Sequence, residues 1–256
     1  MNNKIKIGLF GFGKTGRIVA QEIMQDKHVD FAWVVRRSKS SNHKYASRLL
    51  GYERDTTPIF SVDQTGDAFF QKYPVDIIID FSGTSGYKSY EAAPQHGIKI
   101  ISAISKLEQS AIDVLKSYSE HSAVLYSPNI TLGVNFLLVA SQVLQSIAPK
   151  ADIEIIEEHF RDKKGISGTA LKIANILGLE NTRHVNSVRV GGIVGKHEVI
   201  FGLPNQTIRL VHESLSRGAF GQGALFAAKW LYDKPPGFYS MEGIISDMFK
   251  QNIPVY

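Results

Sequence analysis

Lys4-Ile5-Lys6-Ile7-Gly8-Leu9-Phe10-Gly11-Phe12-Gly13-Lys14-Thr15-Gly16 is the stretch on which the fold turns. Residues 4–10 read as a buried strand, since apolar side chains dominate and no turn signal interrupts them. The glycines lead into residues 17–25, patterned as a helix, and residues 29–35 supply a second apolar strand. That order is a βαβ unit, the context in which GxGxxG holds a dinucleotide. Gly11 makes the tight turn, Gly13 lets backbone approach a pyrophosphate, and Gly16 lets helix pack on strand. The helix N-terminus then faces the phosphates. Gly11, Phe12, Gly13, Lys14, Thr15 and Gly16 are therefore the expected cofactor turn, against the plainer reading of a structural Gly-rich turn.

The next strand refines the ligand. NAD-selective sites place an acid there for the ribose 2′-hydroxyl, whereas this strand ends Val34-Val35-Arg36-Arg37. Guanidinium groups favour a 2′-phosphate through paired, charge-assisted hydrogen bonds, so NADPH is expected over NADH, with NADH as the lesser alternative. The same arginines begin a basic run with Lys39, Lys44 and Arg48, which taken alone reads as a solvated loop.

Further along, residues 75–81, 98–103 and 123–126 read as strands, and residues 87–96 and 108–119 as helices. Strict alternation predicts a parallel sheet with helices on both faces and ligands at the strands' carboxyl ends. After a helix at 135–146 the pattern changes. Residues 152–159 are extended, a loop at 165–169 caps a helix at 170–177, and strands at 185–193, 197–203 and 206–212 predict an antiparallel unit. A helix at 224–232 ends before Pro235-Pro236-Gly237.

Composition narrows the function. The 256 residues contain no cysteine, which excludes disulfides, thiolate catalysis and zinc–thiolate sites and suits a reducing compartment, so a cytoplasmic location without export signal is expected. No apolar run reaches the length of a membrane span. The net charge of +5 permits a nucleic-acid partner, but no helix has a dense basic face and no aromatic stacking pattern accompanies it, so none is expected.

A second group of chemical residues runs from Glu157 to Thr169. His159 ends an extended segment and suits proton delivery near neutral pH, while Arg161, Lys163 and Lys164 attract anions. Ser167-Gly168-Thr169 opens a helix, where backbone N–H groups and hydroxyls suit a substrate carboxylate. A surface loop with an N-cap explains the same residues, and the acids at 157, 158 and 162 dilute the basic character. No metal site is expected, because no second histidine lies at ligand spacing from His159.

In this segment the chain resembles the dihydrodipicolinate reductases of bacterial lysine and diaminopimelate synthesis. The likeness includes the glycine turn, Ile79-Asp80-Phe81-Ser82, Pro128-Asn129-Ile130-Thr131-Leu132-Gly133-Val134-Asn135, residues 153–169, residues 216–224, and Gly237-Phe238-Tyr239-Ser240-Met241. It implies a Rossmann domain from residues 1–130 plus 225–256, and an inserted α+β domain, 131–224, for substrate binding and assembly into a homotetramer. The implied reaction is hydride transfer from NAD(P)H to a cyclic unsaturated dicarboxylate. By position, His159 is the proton donor, Lys163 its basic partner, and Ser167, Gly168 and Thr169 the carboxylate site. Phe81, Ser82, Ser102, Ile104 and Asn129 join the cofactor contacts. Two departures stand out. Phe160 replaces the second of a histidine pair, and Ser102-Ala103-Ile104-Ser105 replaces a Gly-Thr-Thr-Gly near the nicotinamide. They leave two alternatives open: a reductase of another cyclic imine or amino-acid-derived substrate, and a catalytically silent NADPH-binding regulatory protein.

Overall fold

The computed structural model describes residues 4–37 and 44–254, so Lys39 of the basic run lies outside the described residues. The chain forms two compact units, 1–130 with 220–241 and 131–219 with 242–256.

The first unit begins with β1 (Ile5–Phe10), α1 (Lys14–Gln25) and β2 (Val29–Arg36). It continues through α2 (Ala46–Leu49), β3 (Ile59–Ser61), α3 (Asp67–Lys72), β4 (Ile77–Asp80), β5 (Lys99–Ser102), α4 (Gln109–Tyr118) and β6 (Ala123–Tyr126). The second unit contributes α5 (Leu132–Ile147), β7 (Asp152–His159), α6 (Gly168–Ile176), α7 (Asn181–His184), β8 (Val185–Arg189), β9 (Lys196–Leu203) and β10 (Gln206–Glu213). Then come α8 (Gly218–Leu231), β11 (Gly237–Tyr239) and α9 (Met241–Asn252).

The first sheet is wholly parallel in the order β11-β6-β5-β4-β1-β2-β3. This is a Rossmann-type arrangement, and its order reverses between β1 and β4, where such sheets hold their ligands. Fully buried Ile7, Leu9, Ile77, Ile78, Ile79, Ile100 and Ile101 account for the near-continuous apolar strands. Phe10 meets Trp33 and Tyr90 edge to face, with ring centroids 5.7 and 5.2 Å apart, and Gly8 leaves room for the indole of Trp33. Residues 87–96 are not the single helix expected. They form two 3₁₀ turns, Gly86–Tyr90 and Ala93–His96, because Pro94 offers no amide to an α-helical ladder. The left-handed Gly97 ends them, at φ 71°.

The second unit is a mixed sheet, β10-β9-β7-β8, with helices against it. Its antiparallel expectation fails at β8, which runs parallel to β7. The chain between those strands carries α6 and α7, and a helical crossover is what parallel neighbours require. β8 also stops at Arg189 instead of reaching 193, where the chain turns through Gly191 at φ 54°. The core joins Ile153, Ile155, Val199 and Phe201 to Leu137, Leu138, Ala170, Ile173 and Ala174.

The two units depart from the expected division at two stretches: 220–224 group with the first and 242–256 with the second. Gly221 explains one of them, since a Cβ there would stand 3.2 Å from Val19 Cα, so α8 approaches α1 closely. Lys229 also reaches Asp26 at 2.6 Å. For α9, Lys172 pairs with Glu242, and the rings of Phe136 and Phe249 lie 4.9 Å apart.

Candidate active site

The glycine turn sits where the first sheet reverses its strand order. Gly11 has φ 96°, and a Cβ on it would meet the Phe81 carbonyl and the Ser82 nitrogen at 2.6 Å, so no other residue fits. A Cβ on Gly16 would collide with the Gly11 carbonyl oxygen, whereas one on Gly13 would meet nothing within 4 Å. Gly11 and Gly16 are thus required by the fold, and Gly13, at the N-cap of α1, leaves open space for a ligand. Phe12 is buried beneath the guanidinium of Arg17, 5.5 Å from the ring centroid, and Lys14 is exposed.

Two clefts flank this turn. One is lined by Gly11, Phe12, Gly13, Arg36, Arg37 and Ser82, among others, and no carboxylate is among its described lining residues. Nε and Nη2 of Arg36 are buried without a hydrogen-bond partner among the described residues. A guanidinium with two buried nitrogens that meet no partner among the described residues, beside a glycine turn, fits the phosphates of a nicotinamide dinucleotide. The other cleft brings Thr15, Phe81 and Ser82 together with Ile104, Pro128 and Phe220. Ser102 and Asn129 line neither cleft. Ser102 is fully buried, and the Asn129 carbonyl accepts from Ser127 Oγ at 2.8 Å.

Asp80, at the end of β4, is fully buried. It accepts from the Ser82 nitrogen at 2.8 Å, Ser82 Oγ at 2.6 Å and the Tyr90 hydroxyl at 2.9 Å. Burial outweighs these neutral donors and raises its pKa to about 6.

In the second unit, His159 closes β7 with its Nδ1 on Glu157 Oε2. Alternation along the strand places both on the face that carries Ile153 and Ile155. Glu157 is fully buried and also accepts from Arg189 Nη1 at 2.9 Å and Nη2 at 2.5 Å, Ser187 Oγ at 2.6 Å, and the Ser167 nitrogen at 3.2 Å. Burial alone would raise its pKa, but the bonds from Arg189, Ser187, His159 and Ser167 hold it at about 2. For His159, burial lowers the pKa below the usual 6.5, Glu157 opposes, and the charges of Lys163 and Arg189 add to the lowering.

Ser167 occupies the N-cap position of α6, but its hydroxyl pairs with His197 Nε2 at 2.8 Å instead of capping the helix. The His197 ring meets that of His159 edge on, centroids 5.3 Å apart, and burial together with His159 pushes its pKa down to about 3. Arg189 also holds the 163–165 loop, donating to the Lys163 carbonyl at 3.1 Å and the Gly165 carbonyl at 2.6 Å. His159, Lys163 and Ser167 are therefore drawn together by a network that sequence reasoning did not assemble. Glu157, Ser187, Arg189 and His197 were the members missed, and only Glu157 carried a signal, its two-residue offset from His159.

Family descriptions for dihydrodipicolinate reductase match along the chain, the N-terminus over residues 5–130 and the C-terminus over 132–245. A 4-hydroxy-tetrahydrodipicolinate reductase of Pseudoalteromonas atlantica is 32% identical over 268 residues, covering 94% of this chain and 98% of that protein. A reductase of the same name from Buchnera aphidicola subsp. Acyrthosiphon pisum (strain 5A) is 27% identical over 277 residues, covering 96% of this chain and 100% of its own. In fold, the chain is similar to a dipicolinate-bound dihydrodipicolinate reductase from Paenisporosarcina sp. TG-14, with a TM-score of 0.76 at 18% identity, covering 94% of this chain and 99% of the other.

Proposed function

The chain belongs to the dihydrodipicolinate reductase family, and we propose that it reduces 4-hydroxy-tetrahydrodipicolinate to tetrahydrodipicolinate in lysine and diaminopimelate biosynthesis. The net change is loss of water with gain of one hydride and one proton. A nicotinamide dinucleotide supplies the hydride when bound. Gly11, Gly13 and Gly16 receive its pyrophosphate, with Phe12, Lys14 and Thr15 completing the turn. Arg36 and Arg37 prefer the 2′-phosphate of NADPH. Phe81, Ser82 and Ile104 line its nicotinamide end.

The observation that carries the reading is the carboxylate-paired His159 set beside the Ser167 loop and the charge of Lys163. His159 delivers the proton. Lys163, Ser167, Gly168 and Thr169 hold a dicarboxylate, so that binding energy is used for orientation. Because the free ring titrates below 6.5, kcat/KM should fall as pH rises through that lowered value. A bound dianion favours the charged ring, so the corresponding limb of kcat should lie at higher pH. On this reading the enzyme is a cytoplasmic homotetramer, which sedimentation of the purified chain tests.

The deciding experiment is NADPH oxidation with freshly generated substrate, with cofactor binding followed by calorimetry. His159→Ala should lower turnover about 10²- to 10⁴-fold while NADPH affinity holds. NADPH binding without turnover in the wild type would favour the silent regulatory reading.

A further inference from the structure

We propose that Glu157 is a positioning residue that fixes the tautomer and aim of the His159 imidazole, and that Gly195 keeps ring atom Nε2 open as the atom that delivers the proton. The proposal rests on the reading of His159 as the acid, and deepens it by naming the reacting nitrogen and the groups that hold it.

Oε1 of Glu157 takes hydrogen bonds from Ser187 Oγ, Arg189 Nη2 and the Ser167 nitrogen, and Oε2 takes one from Arg189 Nη1. A carboxylate ringed by donors, with a bidentate guanidinium among them, is ionised and has no proton to offer. The hydrogen shared with His159 Nδ1 therefore belongs to the imidazole. Nδ1 keeps it whether the ring is neutral or charged, and gain and loss of a proton fall to Nε2.

Space at Nε2 is provided by one glycine. A Cβ built on Gly195 would stand 3.0 Å from Nε2 and 3.5 Å from Cδ2 of His159, so a side chain at this position would press on the nitrogen that must meet substrate. Gly195 is held in place, since its carbonyl accepts from the Ser214 nitrogen at 2.9 Å. The same Glu157 oxygen that binds Ser187 also binds the first residue of the anion loop, so one carboxylate registers acid and carboxylate site together.

The charged and titratable groups around the ring are Glu157 on its own strand, Lys163 on the following loop, Arg189 on β8 and His197 on β9. His197 in turn feels His212 on β10. Among them only Glu157 favours the imidazolium, so its loss should make the ring harder to protonate.

Three measurements test this on the full chain. In ¹⁵N NMR of histidine-labelled protein, with His159 assigned by its loss in His159→Ala, the neutral ring should be the Nδ1–H tautomer. An Nε2–H tautomer overturns the proposal without recourse to any Glu157 variant, and so decides the matter even where Glu157→Gln fails to fold. Glu157→Gln should lower kcat roughly 100-fold, leave NADPH binding unchanged and shift the falling limb of kcat/KM to lower pH. Gly195→Ala should lower kcat with that limb in place, and wild-type turnover in it overturns the role of Gly195. An unmoved limb and full turnover in Glu157→Gln, beside an inactive His159→Ala, removes Glu157 from the mechanism and leaves the acid assigned. Turnover retained in His159→Ala overturns the underlying reading itself.

Discussion

Asp80 and Glu157 are both carboxylates without exposed surface, one in each unit, yet their charges are handled in opposite ways. Glu157 has a guanidinium on both oxygens and sits at about 2. Asp80 has only a hydroxyl pair and one amide and sits at about 6. The first unit also contains a partly buried guanidinium, but two nitrogens of Arg36 meet no partner among the described residues at the cleft beside the glycine turn. Burial therefore does not decide ionisation; the partner does. The second unit neutralises its buried charges internally, and the first leaves a cation for an incoming anion.

The largest test of this contrast removes the internal partner. Arg189→Met should cost about 3–5 kcal/mol in urea unfolding at neutral pH, because it strands a buried carboxylate; a loss near zero would mean that Ser187, Ser167 and His159 suffice. In the first unit, Arg36→Ala with Arg37→Ala should weaken NADPH about 10- to 100-fold more than NADH by calorimetry, the worth of one or two charge-assisted bonds. Unchanged preference would assign both side chains to the solvated surface.

The smallest effect is a slope. Asp80 is raised from 3.8 to about 6, so its stabilising contribution is full below 3.8 and is lost as pH rises through about 6. Glu157 is lowered from 4.5 to about 2, so its contribution is present above 4.5 and is lost as pH falls toward 2. Asp80→Asn should flatten the stability profile between these Asp80 values. A profile with the wild-type slope would show that another group titrates there.

What could be read from sequence divides along the same line. The glycine turn was legible because its signal is local, in the left-handed φ of Gly11 and the contact of Gly16 with the Gly11 carbonyl, although the Phe81–Ser82 backbone that Gly11 also meets belongs to the end of β4. The parallel sheet followed from alternation, and the arginines at the end of β2 could be placed because a strand's end is a fixed address. The network around His159 is assembled across a longer span. Glu157 draws on Ser167, Ser187 and Arg189 from a loop and another strand, and His197 arrives from a third. No spacing rule joins them, although the period of two along β7 already placed Glu157 on the buried side with His159, where its charge demands a partner. β8 was misread for a related reason: pairing direction depends on the crossover between strands, and short strand-like runs look alike in either direction. The 3₁₀ turns around Pro94 and the short strands β3 and β11 lay below the length at which periodicity speaks.

The interleaved chain also sets a timetable for biosynthesis. β6 gains its outer neighbour only when β11, Gly237–Tyr239, has been made, after the whole of 131–219. At ribosomal rates of about 5–20 residues per second the nascent first sheet waits on the order of five to twenty seconds with an unpaired edge. During that interval β6 is a template for any other extended strand, so crowding on polysomes and truncation before residue 237 are the conditions under which this chain should aggregate.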